Sequence, residues 1–345
     1  MTDGIQTLNT DKLCDYLQSE LSWFEGPLNA EKFTGGQSNP TFKITAASGV
    51  YVLRKQPPGE LLKSAHAVDR EFRVMSALSE SAVPVPDMYH LCENREVIGS
   101  LFFLMQHMPG RTLWNCALPD TEKTTRRQTY DEINRVLAAL HDVDINAVGL
   151  SDYGRPGNYY ARQLKRWTTQ YRASEFEPIA DMEWLIPWLH EHLPEDDGRV
   201  SLVHGDFRLD NLRYHSDQPE VTAVLDWELS TLGHPYADLA NHCMQQRLPP
   251  DDGHLGGLAG LNLEELGIPT ETEFVEQYCE RRGLSKIEHW NFYLSFSFFR
   301  LAAILQGVAK RGREGNASSE LATGLHKRVA PLASMAKSIA VNKHI

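Results

Sequence analysis

The sequence has few cysteines, and their spacing suits neither a metal site nor a disulfide framework. The five cysteines are an odd number, lie far apart and form no C-x-x-C pair, which is typical of a reduced protein without structural zinc. The first residues also lack the basic segment and apolar run of a secretory signal. We therefore expect a cytoplasmic protein.

Several common signatures are absent as well. The chain contains no G-x-S-x-G, no H-E-x-x-H and no Walker A sequence, which argues against the commonest hydrolases and P-loop NTPases. An excess of positive charge is lacking too, because the net charge is -12 at pH 7. We therefore expect no nucleic-acid partner and no anionic membrane as a partner.

A membrane-spanning segment is not expected either. The most apolar long window, residues 291–310, has Arg300 in its middle and serines scattered along it, and a charged side chain is costly in hydrocarbon. A buried helix is the better interpretation. With 345 residues, of which 41% are hydrophobic, the chain is long enough for two lobes or domains.

The hydrophobic pattern changes near residue 108. Residues 31–55 read as three strands of an antiparallel meander, and 68–75 have the spacing of one buried helix face. Two further strand candidates, within 88–93 and 101–108, end at a Pro-Gly pair. Beyond it helical spacing dominates, and a single hairpin, within 201–227, interrupts the helices. The main helical segments are 127–141, 157–172 and 181–192.

This order predicts an α+β, bilobal fold. Residues 1–108 are expected to form one lobe, a small antiparallel sheet with one helix. Residues 109–345 are expected to form a larger, mainly helical lobe with an embedded polar hairpin.

The stretch HGDFRLDN, residues 204–211, contains the residue types that phosphoryl transfer needs. That reaction requires a carboxylate to orient the acceptor hydroxyl and hard oxygen ligands for Mg²⁺. Asp206 supplies the carboxylate, and Asn211 supplies an amide oxygen at the D-x-x-x-x-N spacing of a kinase catalytic loop. Asp226 ends the apolar strand VTAVL, as a second metal ligand should. Aspartate and asparagine also dominate turns, but two such sites joined by a hairpin favour catalysis. No role can be assigned to Asp210.

The N-terminal lobe offers a phosphate cover and a cation. Gly35 and Gly36, between two strands, would let backbone N–H groups approach phosphates, although Gly-Gly turns are common in hairpins.

On the third strand either Arg54 or Lys55 can be the cation, and Glu71, on the following helix, would hold it. Alternation places Val52 and Arg54 on one face of the strand. A small apolar residue beside the adenine suits Val52, which favours Arg54.

HGDFRLDN and VLDWE, together with FTGGQSN, YVLRK and AHAVDRE, resemble the aminoglycoside phosphotransferase and choline kinase family. The resemblance covers residues 30 to 300 approximately and implies a protein-kinase-like fold with ATP and Mg²⁺ as cofactors. It implies that residues 1–108 are the nucleotide-binding lobe, with a hinge at 106–108, and that residues 109–345 carry the catalytic loop and the acceptor site. By this resemblance Asp206 is the catalytic base, Asn211 and Asp226 bind Mg²⁺, and Gly35 and Gly36 cover the phosphates. It further implies that Arg54 contacts the phosphates, that Glu71 holds it, and that Gln106, His107 and Met108 bind the adenine. Asp238 resembles the buried carboxylate that braces the catalytic loop.

The segments RQLKRW, AHAVDREFRVM and LSTLGHPYADLA resemble one branch, the kinase domains associated with acyl-CoA dehydrogenases. This branch implies a hydroxyacyl-CoA or related alcohol as the small-molecule acceptor, and a functional link to an acyl-CoA dehydrogenase. Arg162 and Arg166 share a helix face that an anionic acceptor could use, although a solvated charged face is the simpler interpretation.

Two other functions stay open at this stage. An aminoglycoside or amino-alcohol kinase would suit the acidic balance of the chain. A nucleotide-binding regulatory pseudokinase would be expected to lack one of the reactive residues, and all are present. His234, Asp238 and His242 could suggest a metal cluster, and Asp238 and His242 lie one helical turn apart. No third ligand has a convincing spacing from that pair, so an ordinary polar helix is the better interpretation.

Overall fold

The structure, a computed structural model, describes residues 8–33, 39–57, 66–250, 256–314 and 320–342. Its N-terminal part is an antiparallel sheet of five strands: β1 (Leu28–Lys32), β2 (Thr41–Ala46), β3 (Gly49–Lys55), β4 (Met88–Cys92) and β5 (Phe102–Gln106). The strand order is β1-β2-β3-β5-β4. Helix α1 (Thr10–Glu20) precedes the sheet, and α2 (Val68–Leu78) lies between β3 and β4 in the chain. The meander predicted for residues 31–55 is confirmed.

The two faces of this sheet belong to different hydrophobic cores. Successive side chains of β3 point to opposite faces. Leu53 lies on the outer face and packs with Leu13 and Leu17 of α1, and all three are fully buried. Val52 lies on the inner face, in the core that the sheet shares with the helices. Arg54 is on the same face of β3 as Val52 and is therefore directed at the helical part.

The second part of the chain is mainly helical, as predicted. Its helices are α3 (Lys123–Asp142), α4 (Tyr159–Ser174), α5 (Ala180–Glu191), α6 (Tyr236–Met244), α7 (Leu263–Leu266), α8 (Glu271–Arg281), α9 (Trp290–Arg313) and α10 (Val329–Val341). The helices expected within 127–141, 157–172 and 181–192 are confirmed as α3, α4 and α5. One core runs from the inner face of the sheet into these helices, so the division at residue 108 stays a prediction.

Helix α9 lies at the centre of the helical part. Within the described residues it is the one helix long and apolar enough to cross a membrane, yet 72% of its apolar window is buried inside the protein. It packs against α4, α6 and α10. The burial confirms that this segment is a core helix.

Two small sheets interrupt the helices, where a single hairpin was expected. The hairpin exists as β8 (Leu212–Tyr214) and β9 (Val221–Val224), but β6 (Arg111–Thr112) adds a third strand to it. In addition, β7 (Ser201–Val203) pairs with β10 (Thr231–Gly233). The expectation of one strand pair was therefore wrong. Strands of two or three residues are too short to show an alternating pattern, and their partners lie far away in the chain.

Candidate active site

A buried carboxylate holds the loop that follows β7. Asp238 in α6 is fully buried, and its two oxygens accept hydrogen bonds from the backbone N–H groups of His204, at 2.6 Å, and Gly205, at 2.8 Å. Burial acts to raise the pKa of Asp238, but the hydrogen bonds from His141 and from the Gly205 backbone hold that pKa below its ordinary value. The bracing role predicted for Asp238 is confirmed.

The start of the loop needs glycine and histidine for different reasons. Gly205 has a φ of +85°, and a Cβ there would lie 2.7 Å from the carbonyl oxygen of Leu229, so other residues would be strained. His204 Nε2 donates to the carbonyl oxygen of Leu225 at 2.9 Å, while its Nδ1 accepts from the Asp206 N–H at 3.2 Å. The imidazole thus ties the loop to the end of β9.

Asp206 and Asn211 face each other across the loop. Asn211 Nδ2 donates to the backbone oxygen of Asp206 at 2.8 Å and to its carboxylate Oδ2 at 3.0 Å. Since the amide nitrogen is directed at Asp206, the amide oxygen is the atom that can bind a cation. A 3-10 turn, Leu209–Asn211, brings the two residues together. The Asp206 side chain is 39% exposed, so a substrate hydroxyl can reach it.

Arg208 also lies beside Asp206, and the sequence reasoning missed it. Its Nε is 4.0 Å from Asp206 Oδ1. Two hydrogen bonds to the Asp210 carboxylate, of 3.0 and 2.6 Å, orient the guanidinium. Asp210, which had no assigned role, therefore positions Arg208. The available signal was an arginine two residues away from each of two aspartates.

Asp226 follows β9 in an unusual backbone conformation. Its φ of 63° and ψ of 57° are left-handed, which costs a non-glycine residue about 1 kcal/mol or more and recurs at active sites, where the surrounding structure holds it. The preceding Leu225 N–H donates to the Asn211 carbonyl oxygen at 2.9 Å. That bond joins the end of β9 to the loop, so the two predicted metal ligands belong to one connected segment.

Arg54 links the sheet to Asp226. Its Nε lies 3.1 Å from Glu71 Oε2, and its Nη2 lies 2.5 Å from Asp226 Oδ1. Glu228, which the sequence reasoning also missed, is 3.9 Å from Nη2. Three carboxylates therefore surround one guanidinium, and the local charge is negative.

The other candidate for this cation, Lys55, is buried on the opposite face of β3, where burial lowers its pKa. Arg54, the favoured residue, is the one that meets Glu71. Glu71 is 1% exposed and also accepts from Asn39 Nδ2 at 2.8 Å. Burial raises the pKa of Glu71 to about 7, although Arg54 acts to lower it.

A pocket of about 230 Å³ lies between the sheet and the helical part. Val52, Arg54 and Glu71 line it from the sheet and α2, and Asp226 lines it from below. The predicted hinge residues line it as well: Gln106, His107 and Met108. The Met108 carbonyl oxygen accepts from Arg213 Nε at 3.2 Å, which fixes this edge of the pocket. Gly35 and Gly36, the predicted phosphate cover, lie outside the described residues.

The donor set fits Mg²⁺. Mg²⁺ prefers oxygen ligands and is commonly held by one or two carboxylates plus substrate phosphates, without a closed protein cage. Asp226 and Asn211 offer a carboxylate and an amide oxygen, and no group of three or more His, Cys, Asp or Glu side chains that could hold a metal occurs in the described part of the chain. The suspected cluster of His234, Asp238 and His242 is accounted for otherwise, because Asp238 braces the loop, His242 stacks on Phe274 and His234 stacks on Tyr293.

The sequence model of the phosphotransferase enzyme family, APH, matches residues 29–276. The chain belongs to this family. Mouse acyl-CoA dehydrogenase family member 10 is 47% identical over 334 residues, which are 96% of this chain and 31% of that protein. The chain thus spans about a third of the length of this curated relative.

Two solved structures show the same architecture. A crystal structure from Ralstonia eutropha, of a protein provisionally named an aminoglycoside phosphotransferase, has a TM-score of 0.89 and 47% identity and covers 97% of this chain and 98% of its own. Aminoglycoside phosphotransferase APH(4)-Ia, solved with ADP and hygromycin B, has a TM-score of 0.62 at 14% identity and covers 96% and 99% of the two chains. The predicted protein-kinase-like bilobal fold is confirmed, and the family to which the chain belongs is one of phosphotransferase enzymes.

Proposed function

We propose that the protein transfers the γ-phosphoryl group of ATP, with Mg²⁺, to the hydroxyl of a hydroxyacyl-CoA or a related alcohol. The observation that carries this proposal is the convergence of Arg54, Glu71 and Asp226 beside the loop that contains Asp206 and Asn211. Phosphoryl transfer depends mostly on positioning and charge stabilisation. This cluster would supply a cation, metal donors and a carboxylate around one pocket.

The nucleotide would lie in the pocket between the sheet and the helices. The adenine would contact Val52 and the hinge, residues 106–108, and Arg54 would contact the α- and β-phosphates while Glu71 orients it. The role of Gly35 and Gly36 as phosphate cover rests on the sequence alone.

The metal would be held by Asp226 and Asn211. These two side chains would place a divalent cation beside the phosphates, where its charge would offset the negative charge that develops on the leaving group. Asp226 contacts Arg54 in this structure, so we expect Arg54 to exchange that carboxylate for phosphate oxygens when the nucleotide and metal bind.

The chemical step would use Asp206 as the general base. The acceptor oxygen attacks the γ-phosphorus, its proton passes to the Asp206 carboxylate, and the bond from phosphorus to the β-phosphate oxygen breaks to release ADP. Asn211 orients the carboxylate, and the Arg208 guanidinium, 4.0 Å away, would attract the negative phosphoryl group. Each of these residues is fixed by contacts within the loop, as preorganised electrostatic catalysis requires.

The acceptor is proposed from the kinship and from local charge. The 47% identity to acyl-CoA dehydrogenase family member 10 covers nearly all of this chain, which supports an acyl-CoA-related acceptor and a functional link to an acyl-CoA dehydrogenase. The local charge comes from the two arginines of α4 that share a helix face. The Arg162 guanidinium donates hydrogen bonds to the carbonyl oxygens of Arg155 and Pro156, whereas the Arg166 guanidinium lies 5.2 Å from the centroid of the Trp167 ring.

An aminoglycoside or amino-alcohol acceptor is the second candidate. The net charge of -12 would attract a cationic substrate, and the Ralstonia eutropha relative carries that provisional name. We further propose that the protein acts in the cytoplasm and needs neither nucleic acid nor a membrane.

Incubation with ATP and Mg²⁺, followed by mass spectrometry, tests these proposals. Mixtures of hydroxyacyl-CoA, aminoglycoside and choline-like acceptors should show one added phosphate on the hydroxyacyl-CoA, with ADP released in equal amount. The Asp206→Asn variant serves as the control for contaminating kinases. Phosphate gained only by an aminoglycoside or by a choline-like amino alcohol would favour the second candidate, and no gain on any acceptor would contradict both.

A further inference from the structure

A groove of about 370 Å³ lies between helices α4 and α9. The two helices run side by side in the same direction: Tyr160 meets Phe296, with ring centroids 5.3 Å apart, and farther along Gln306 Nε2 donates to the Ser174 carbonyl oxygen at 3.0 Å. The groove therefore has two ends, one directed at the catalytic loop and one at the C-terminal end of α9.

The first end reaches the catalytic loop through Arg300. Arg300 Nη2 donates to the carbonyl oxygen of Gly205 at 2.6 Å, and Gly205 directly precedes Asp206. The Arg300 guanidinium carbon also lies 5.7 Å from the centroid of the Trp167 ring, and Trp167 lines the groove. One arginine side chain thus separates the groove from the proposed catalytic base.

The floor of the groove is formed on α9 by Ile304, Gly307 and Arg311, and Arg300 lies on the same helix face one turn before them. Arg300, Ile304, Gly307 and Arg311 follow at intervals of four, three and four residues, so they share one helix face. A helix rises about 1.5 Å per residue, which puts Arg311 about 16 Å along the axis from Arg300. Gly307 keeps the groove deep, since a Cβ added there would meet, within 4 Å, only Arg311 Nη1, at 3.7 Å. The Arg311 guanidinium therefore folds back over the groove.

Cations at the end of α9 also have a simpler explanation. Lys310, Arg311 and Arg313 lie in its last turn, where positive charge stabilises the helix C-terminus. However, Lys310 donates to the Ala173 carbonyl oxygen at 2.7 Å, and the Arg313 guanidinium lies 3.6 Å from the centroid of the Phe176 ring. Glu314, which also lines the groove, lies 3.8 Å from Lys310, and this pair leaves the Arg311 guanidinium over Gly307 as the other cation of the groove.

We propose that the groove between α4 and α9 binds the arm of an elongated acceptor. The acceptor hydroxyl would lie at Asp206, its weakly polar arm along Trp167 and Gly307, and an anionic group at its far end against Arg311. This inference rests on the proposed function and adds to it the place and the residues that select the acceptor. The anion could belong to a thioester whose arm bears a phosphate or to a free carboxylic acid. We favour the thioester, because its arm is long enough to cover the distance of about 16 Å between Arg300 and Arg311 along the helix axis.

Steady-state kinetics with matched variants test the groove. Gly307→Leu fills the groove, and leucine has a higher helix propensity than glycine. Gly307→Ala is the control, because a methyl group at that position makes only ordinary contacts. For a hydroxyacyl-CoA, Gly307→Leu should raise KM about tenfold, equivalent to ~1.4 kcal/mol of binding, and Gly307→Ala should not. With the same hydroxyacyl group on a short neutral thiol, and for ATP, KM should be unchanged in both variants. An equal loss on both acceptors, or no loss, would overturn the proposal.

The charge at the far end is tested by Arg311→Gln, with Arg313→Gln as its matched control in the same helical turn. Only Arg311→Gln should raise KM for the hydroxyacyl-CoA, and neither should affect the neutral thioester. A hydroxy dicarboxylic acid of similar length shows whether a carboxylate suffices: a larger effect of Arg311→Gln on this acid than on the CoA ester would assign the site to free acids and refute the thioester.

Calorimetric binding of an acyl-CoA that lacks the hydroxyl separates this inference from the proposed function. If wild-type protein binds it and Gly307→Leu binds it about tenfold more weakly, the groove is correct even when no hydroxyacyl-CoA is phosphorylated. If the two proteins bind it equally, or neither binds it, the groove proposal is refuted whatever the transfer assay shows.

Discussion

Arg54 Nη2 lies 2.5 Å from Asp226 Oδ1, although the two residues are separated by 172 positions in the chain. The contact crosses from the N-terminal sheet to the segment after β9, directly beside the loop that holds Asp206. It makes the two parts of the protein electrostatically dependent on each other, because Arg54 is at the same time bound to the buried Glu71.

Replacing the proposed base should separate catalysis from nucleotide binding. Asp206→Asn keeps the shape of the side chain and its contact with Asn211 but cannot accept a proton, so kcat should fall by about 10²–10⁴-fold. The affinity for ATP, measured by calorimetry, should stay within about twofold, since binding energy rests on other residues. Turnover at the wild-type rate would show that Asp206 is not the base.

Removing the predicted metal ligand should have the opposite signature. Asp226→Ala deletes a hard oxygen donor, so the Mg²⁺ concentration needed for half-maximal activity should rise about tenfold or more. Glu228→Gln is the matched control, because Glu228 lies 3.9 Å from the same Arg54 nitrogen and has no proposed metal contact. A similar Mg²⁺ dependence in both variants would contradict the assignment of Asp226.

The carboxylate that braces the loop should affect turnover without touching substrate. Asp238→Asn replaces one of the two oxygens that accept the His204 and Gly205 N–H groups, leaving a buried donor unsatisfied at a cost of about 1–3 kcal/mol. We expect a lower urea midpoint and a reduced kcat, with KM for ATP little changed, because the loop loses its fixed geometry. An unchanged kcat in a destabilised variant would mean that the brace serves folding alone.

A buried histidine should make the protein sensitive to acid. His242 is 2% exposed and stacks on Phe274 at 4.6 Å between ring centroids, and burial lowers its pKa from 6.5 to about 4. Because the folded state binds this proton less readily than the unfolded chain, stability should be lost as the pH falls from about 6.5 to about 4, by at most about 3 kcal/mol. His242→Leu should flatten this part of the stability profile.

Urea unfolding midpoints at pH 7 and pH 4.5 measure this effect. His190, an exposed histidine on α5, provides the control: His190→Gln should follow the wild-type profile. If His242→Leu loses as much stability on acidification as the wild type does, other groups cause the loss.

Much of the site was predictable because its members are close in the chain. Asp206 and Asn211 are five residues apart, and the 3-10 turn between them makes the spacing itself meaningful. The preference for Arg54 over Lys55 followed from strand alternation, since a residue and its neighbour point to opposite faces. Arg208 and Asp210 were missed, although both belong to the same loop, because an arginine between two aspartates also occurs on ordinary solvated surfaces.

Features formed by distant segments could not be predicted in this way. The strands Arg111–Thr112 and Thr231–Gly233 are too short to carry a pattern and exist through pairing with β8 and β7. Glu228 approaches Arg54 only because the segment after β9 lies under the sheet. The groove beside Arg311 exists because α4 and α9 pack side by side with a glycine between them.

The sequence by itself determined most helical and strand segments, the reactive loop and the type of chemistry. These features depend on hydrophobic periodicity and on the spacing of residues that are neighbours within one turn or one strand. Only the tertiary structure decided which charges meet. The bond between Arg54 and Asp226, and the path from Arg300 to Arg311 beside Trp167, depend on how the sheet packs on the helices and how two helices pack on each other. Packing brings together residues whose separation along the chain says nothing about their distance in space.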